Sequence, residues 1–152
     1  MLKIIRTNSE HADFIQLVRQ LDAYLAEIDG EEHAFYHQFN HIDQLNQVVL
    51  VYDEEQPVAC GAIKPLPDGA MEIKRMYTHP DHRGKGLGTR VLQALEQWTS
   101  ELAATHCRLE TGARQSDAIA LYLKNGYQPI PNYGQYKGVE NSRCFEKNVL
   151  GL

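Results

Sequence analysis

Arg83-Gly84-Lys85-Gly86-Leu87-Gly88-Thr89 follows a predicted strand and opens a predicted helix. Helix N-termini carry unpaired N–H groups and the positive end of the macrodipole, so such a junction attracts phosphate. Glycines at 84, 86 and 88 remove side chains that would hold a pyrophosphate away and permit positive φ. Arg83 and Lys85 add positive charge where an anion would sit. A Walker-type loop is excluded because Lys85 is followed by Gly86 and position 79 is histidine. A dinucleotide fingerprint beginning at Gly84 would need glycine where Thr89 stands. The pattern Arg-x-x-Gly-x-Gly is met by Arg83, Gly86 and Gly88, and taken alone it also fits a glycine-rich helix cap.

Outward from the loop, Leu87, Val91, Leu92, Leu95 and Trp98 recur at helical spacing. Ala70–Thr78 reads as the strand before it, broken by His79-Pro80-Asp81. Val48–Tyr52 and Pro57–Lys64 flank Asp53-Glu54-Glu55-Gln56 as a hairpin. Leu2–Arg6 is a first strand. Phe14, Leu17, Val18, Leu21 and Leu25 mark a helix with Ser9 as its expected N-cap, ending at Gly30. Glu31 to about Phe39 reads as a second, shorter helix. Past the loop helix come a strand at Cys107–Thr111, a helix at Ser116–Lys124 capped by Ser116 and stopped by Asn125-Gly126, and strands at Tyr127–Ile130 and Ser142–Val149. The order predicts an α/β (α+β) fold, a mixed sheet flanked by helices. No repeat, linker or low-complexity tract divides residues 1–152, so one domain is expected.

Three elements in order then carry a resemblance. They are Glu72-Ile73-Lys74-Arg75-Met76-Tyr77-Thr78-His79-Pro80, the loop Arg83–Gly88, and Ala118-Ile119-Ala120-Leu121-Tyr122-Leu123-Lys124-Asn125-Gly126-Tyr127. From about Ala59 to Gly126 the chain resembles the GNAT superfamily of acetyl-CoA-dependent N-acetyltransferases. The resemblance implies a mostly antiparallel sheet of about seven strands, splayed in the middle and flanked by about four helices. It also implies direct acetyl transfer to an amine in a ternary complex with acetyl-CoA, with no metal, and it allows a homodimer.

On the same resemblance, Met76, Tyr77 and Thr78 would hold the pantetheine arm, and the Met76 N–H would polarise the thioester carbonyl. Arg83, Gly84, Lys85, Gly86, Leu87, Gly88 and Thr89 would cradle the pyrophosphate. Gln115 stands where many relatives have a cofactor-touching asparagine. Tyr122 would protonate the departing thiolate, a reasonable task for a phenol with an intrinsic pKa near 10. Glu72 is the candidate base, since an amine with a pKa near 10 must lose a proton before it attacks. Strand alternation places Glu72, Lys74 and Met76 on one face, so a Glu72–Lys74 salt bridge is the competing reading.

Charge is uneven. Between residues 20 and 63 there are nine acids and no Lys or Arg, while Lys74, Arg75, Arg83, Lys85 and Arg90 form a basic group. This excludes the broad basic face of a nucleic-acid binder. It suits an anionic cofactor and a cationic amine, the acids otherwise being a solvated face. In the segments that form the family's acceptor site stand Tyr24, Glu27, Asp29, Glu31, Glu32, Phe35 and Tyr36, then Pro129–Tyr136 with Tyr133. A small amine is favoured as acceptor; a protein lysine or amino terminus is the alternative, and an acyl-CoA sensor without turnover a third reading. His33, His37 and His41 step by four, as on one helix face, but lack the HExxH pattern of a metal site. Cys60, Cys107 and Cys144 have no metal or redox spacing and read as buried thiols of a reducing cytoplasm. No apolar run is long enough for a membrane span, and the amino terminus does not read as a signal peptide.

Overall fold

Val48-Val49-Leu50-Val51 is buried along its whole length, as a strand covered on both faces must be. The computed structural model describes residues 1–29 and 45–152. Val48 and Leu50 pack with Phe14, Leu17, Val18 and Leu21, whereas Val49 and Val51 pack with Val91, Leu92 and Leu95. Period-two alternation therefore divides one apolar run between two cores.

The elements in chain order are β1 (Leu2–Thr7), α1 (Ala12–Asp29), β2 (Gln47–Asp53), β3 (Gln56–Pro65), β4 (Met71–Thr78), α2 (Leu87–Glu101), β5 (His106–Gly112), α3 (Ser116–Lys124), β6 (Gln128–Ile130) and β7 (Ser142–Asn148). The strands form a seven-stranded sheet in the order β1-β2-β3-β4-β5-β7-β6. Every pairing is antiparallel except β4–β5. This is the mixed, mostly antiparallel sheet expected from the sequence. The helix expected at Glu31–Phe39 lies outside the described residues.

Two expected caps are corrected. Ser9 is buried and its N–H bonds to the Leu45 carbonyl at 2.9 Å, while the His11 ring accepts from the Asp13 N–H at the start of α1. Ser116 is the first residue of α3, and Gln115 holds the cap position without a capping side-chain bond.

A β-bulge in β4 overturns the simple alternation. Cys60 pairs with Tyr77 and Ala62 with Lys74, so Gly61 opposes both Arg75 and Met76. Arg75 absorbs the extra residue at φ +59°. One inserted residue reverses the facing of all that follow. Met76 thus joins Met71 and Ile73 on the α2 side, and Tyr77 packs on the α1 side. Glu72, Lys74 and Met76 do not share a face.

Candidate active site

Strands β4 and β5 are paired only at Met71–Cys107 and Glu72–Arg108. Beyond Glu72 they diverge, so main-chain groups of Ile73–Thr78 on that side are released from the ladder. A cleft of about 490 Å³ runs from the end of β4, past α3, to the loop before α2. Met76, Tyr77, Thr78, Arg83, Gly84, Gly86, Leu87, Gly88, Thr89, Gln115 and Tyr122 all line it. Of the residues expected at the cofactor, Lys85 is exposed beside the cleft without lining it.

The glycines of the loop do different work. Gly84 and Gly86 have φ of +78° and +79°, and a Cβ on either would meet nothing within 4 Å. Space that a side chain would fill is left open there for a ligand. Gly88 has no positive φ; its missing Cβ makes room for Leu121 of α3, whose Cδ2 would lie 2.9 Å away. Gly88 is thus a packing residue between α2 and α3, a correction to its reading as a positive-φ position. Gly86 caps α2 with no side-chain bond, and the first turn carries no acid, so its N–H groups and dipole face the cleft uncompensated. Arg83 donates from Nε to the Thr78 carbonyl at 2.9 Å and lies over the Tyr24 ring at 4.9 Å, which fixes it at the mouth.

Tyr122 is placed by the way α3 ends. Gly126 N–H bonds to Leu123 O and Tyr127 N–H to Tyr122 O, the paired pattern of a Schellman motif, with Gly126 at φ +89°. Asn125 Nδ2 donates to Leu121 O and to Thr89 Oγ1, tying this helix end to the start of α2. The Tyr122 side chain is buried, and burial pushes its phenol well above the usual value.

A second, smaller cavity of about 90 Å³ adjoins the cleft and shares Leu21, Met76, Gln115 and Tyr122 with it. Glu72 lies there at 3% exposure, not in the cleft itself. Its Oε2 accepts from the Tyr133 hydroxyl at 2.5 Å, and its Oε1 lies 3.7 Å from Lys74 Nζ. The salt bridge read from the sequence is therefore present, and the carboxylate has a second partner as well. Burial lowers the Lys74 pKa, a shift opposed by the charge of Glu72. Tyr136 also lines this cavity, and burial raises its phenol.

Two residues lining the small cavity, Glu110 and Arg75, were not expected there from the sequence. Glu110 enters the small cavity from β5, and alternation from the inward Cys107 and Leu109 was the available signal for it. Arg75 enters from the bulge, which no periodicity reveals. Of the expected acceptor-site acids, Glu27 is exposed and lines neither cavity. The Asp29 side chain, Glu31, Glu32, Phe35, Tyr36 and the three histidines His33, His37 and His41 lie outside the described residues. The thiols of Cys60, Cys107 and Cys144 are all buried and free of disulfides.

The sequence profile of the acetyltransferase (GNAT) family matches residues 14–127. The chain belongs to the GNAT family of acetyltransferases. A curated relative, the IAA acetyltransferase of Azospirillum brasilense, is 31% identical over 130 residues, 80% of this chain and 81% of that one. A solved Klebsiella pneumoniae structure described as an acyl-CoA N-acyltransferase is 32% identical, with a TM-score of 0.83 and 99% of both chains covered. The PaiA N-acetyltransferase of Thermoplasma acidophilum, solved in complex with coenzyme A, shares the fold at 16% identity and a TM-score of 0.68, covering 97% of this chain and 99% of that one.

As a GNAT acetyltransferase the chain is an acyl-transferring enzyme of a family that uses acetyl-CoA and acts on amines. The residues present fit that donor: an open glycine cradle at a helix N-terminus leads into a cleft lined by the end of β4 and by α3, with Tyr122 on its wall. Among the described residues no helix is long and apolar enough to cross a membrane. Nor do the described residues include three His, Cys, Asp or Glu side chains grouped to hold a metal ion.

Proposed function

We propose that this enzyme transfers acetyl from acetyl-CoA directly to the primary amine of a small acceptor, with Glu72 as base and Tyr122 as acid. One observation carries the reading. Glu72 and Tyr122 line the same small cavity, and Tyr122 also lines the adjoining cofactor-sized cleft. This arrangement supports a base on the acceptor side and an acid that reaches the donor side.

The amides of Gly86, Leu87, Gly88 and Thr89, with Gly84, hold the pyrophosphate, while Arg83 and Lys85 add positive charge beside it. Main-chain groups of Met76 and the Thr78 N–H, on the side where β4 leaves β5, position the pantetheine arm beside Tyr77 and Gln115. The Met76 N–H polarises the thioester carbonyl. Bound there, acetyl-CoA supplies an acetyl group activated by its thioester. Glu72 takes a proton from the acceptor ammonium, directly or through one water. A C–N bond then forms and the C–S bond breaks. Tyr122 gives its proton to the departing thiolate and recovers one from the acetylated nitrogen through solvent. The sum is ammonium plus acetyl-CoA giving amide, coenzyme A and one proton.

The size of the acceptor cavity, about 90 Å³, favours a small amine over a lysine on a folded protein surface. The test is coenzyme A release across a panel of small amines and lysine peptides, with Glu72→Gln and Tyr122→Phe alongside. Turnover on small amines, lost in both variants, supports the reading. Turnover confined to peptides, or unchanged in the variants, contradicts it.

A further inference from the structure

The small cavity holds two buried cations beside its two carboxylates. Lys74 and Arg75 are 8% and 6% exposed, and both line it with Glu72 and Glu110. A cavity built only to attract a cationic amine would not bring two positive side chains out of water next to it.

Arg75 is the informative residue. As the bulge residue it sits in the left-handed region at φ +59°, a conformation that costs any residue with a Cβ. Its Nη2 lies 3.0 Å from Asp22 Oδ1 of α1, which anchors the guanidinium. Its Nε–H is buried and has no acceptor among the described residues, although the side chain is only 3% exposed. An orphaned buried donor forfeits its hydration with nothing in return, and native structures seldom keep one without a use. Backbone strain and an unmet donor on one anchored guanidinium mark a position kept for a partner. A guanidinium is the side chain best matched to a planar carboxylate.

Resting on the acetyltransferase reading above, we infer that the acceptor is an amino carboxylate, a small zwitterion of the amino-acid type. Its carboxylate answers the Arg75 guanidinium, and its amine lies between Glu72 and the Tyr122 end of the cavity. Such a ligand brings one charge of each sign to a cavity lined by two carboxylates and two cations. A simple amine leaves the Arg75 donor unmet, and a diamine adds positive charge beside Lys74 and Arg75.

The experiment compares each amino acid with its own decarboxylated amine: glycine with methylamine, alanine with ethylamine, lysine with 1,5-diaminopentane. Binding is followed by the rise in melting temperature of the protein saturated with coenzyme A, and turnover by thiol release from acetyl-CoA. At least one amino acid is expected to raise the melting temperature, and to exceed its amine in kcat/KM by about tenfold or more. Arg75→Lys is expected to reduce that preference by about tenfold while leaving coenzyme A affinity unchanged, since Arg75 does not line the cofactor cleft. The wild-type comparison stands by itself should the variant fold poorly. Amines that bind and react as well as their amino acids overturn this inference and leave the acetyltransferase reading intact. Failure to bind coenzyme A, or to acetylate anything in the panel, sinks both.

Discussion

The Tyr127 N–H donates to the Tyr122 carbonyl at 3.0 Å, and the two rings meet edge to face with centroids 6.0 Å apart. The bond that ends α3 therefore also sets the depth of the candidate acid. Tyr127 is in turn held by its hydroxyl, which donates to Glu96 Oε2 at 2.9 Å inside the core, where Lys147 also reaches Glu96. A rigid helix end is what a proton donor requires, because catalysis is sensitive to small displacements.

Tyr122→Phe is accordingly expected to lower kcat by about a hundredfold, the lower range for losing a general acid. The ring, its packing and the Schellman bonds remain, so acetyl-CoA affinity is expected to stay within about twofold. Single-turnover thiol release and equilibrium binding on the same sample separate the two. An unchanged rate removes Tyr122 from the mechanism.

Tyr133→Phe takes away the hydroxyl that donates to Glu72 Oε2. A hydrogen bond to a buried charged group contributes about 1.5–3 kcal/mol, so denaturant unfolding should report a loss of that order. Because Tyr133 does not line the cofactor cleft, the activity lost should appear with acetyl-CoA affinity retained. Equal stability and rate in the variant would mean that Glu72 needs no positioning by Tyr133.

Gly61→Ala tests the close packing that holds Met76. A Cβ there would fall 2.7 Å from Met76 Sδ, 2.7 Å from Val91 Cγ1 and 2.9 Å from Leu95 Cδ1. Overpacking on three sides is expected to cost about 1–3 kcal/mol and to raise KM for acetyl-CoA as Met76 shifts. Guanidinium unfolding with steady-state kinetics checks both, and a fully stable variant would contradict the packing.

Alkaline pH should destabilise the fold. Burial pushes the thiol of Cys60 up to about 12 and those of Cys107 and Cys144 to about 11, from an ordinary 9.0. Burial likewise raises the phenols of Tyr122, Tyr127, Tyr133 and Tyr136 above 10.0. With folded pKa values raised, the native state holds more protons than the unfolded chain once pH exceeds the unfolded values, so stability falls as pH rises. Unfolding free energy is expected to hold to about pH 9 and then decline, each group adding up to about 1.4 kcal/mol per pH unit. A flat profile to pH 11 would show that these groups are not buried as described.

Much of this was legible in the sequence because local rules carried it. The apolar run Val48–Val51, the glycine loop and the Asn125-Gly126 stop each specify their own conformation through neighbours in the chain. Non-local partners were not legible. Tyr133 reaches Glu72 across 61 residues, and nothing in either segment announces the pair. The bulge at Arg75 escaped for a different reason: alternation assumes one residue per step, so an inserted one is invisible until the partner strand is seen. That single insertion moved Met76 to the opposite face and set Arg75 in the wall of the small cavity. Gly88 looked like its neighbours in the loop, yet only the position of Leu121 explains it.

On the proposed function, the cleft between the end of β4, α3 and the loop before α2 receives acetyl-CoA, whose acetyl group passes to an amine. The most direct test is the melting temperature with and without saturating acetyl-CoA, followed on the same sample by coenzyme A release with a small amine. Ligand at a hundred times its Kd stabilises the native state by about 2.7 kcal/mol, so a clear upward shift with amine-dependent release is expected. No shift and no release at any amine concentration would contradict the account.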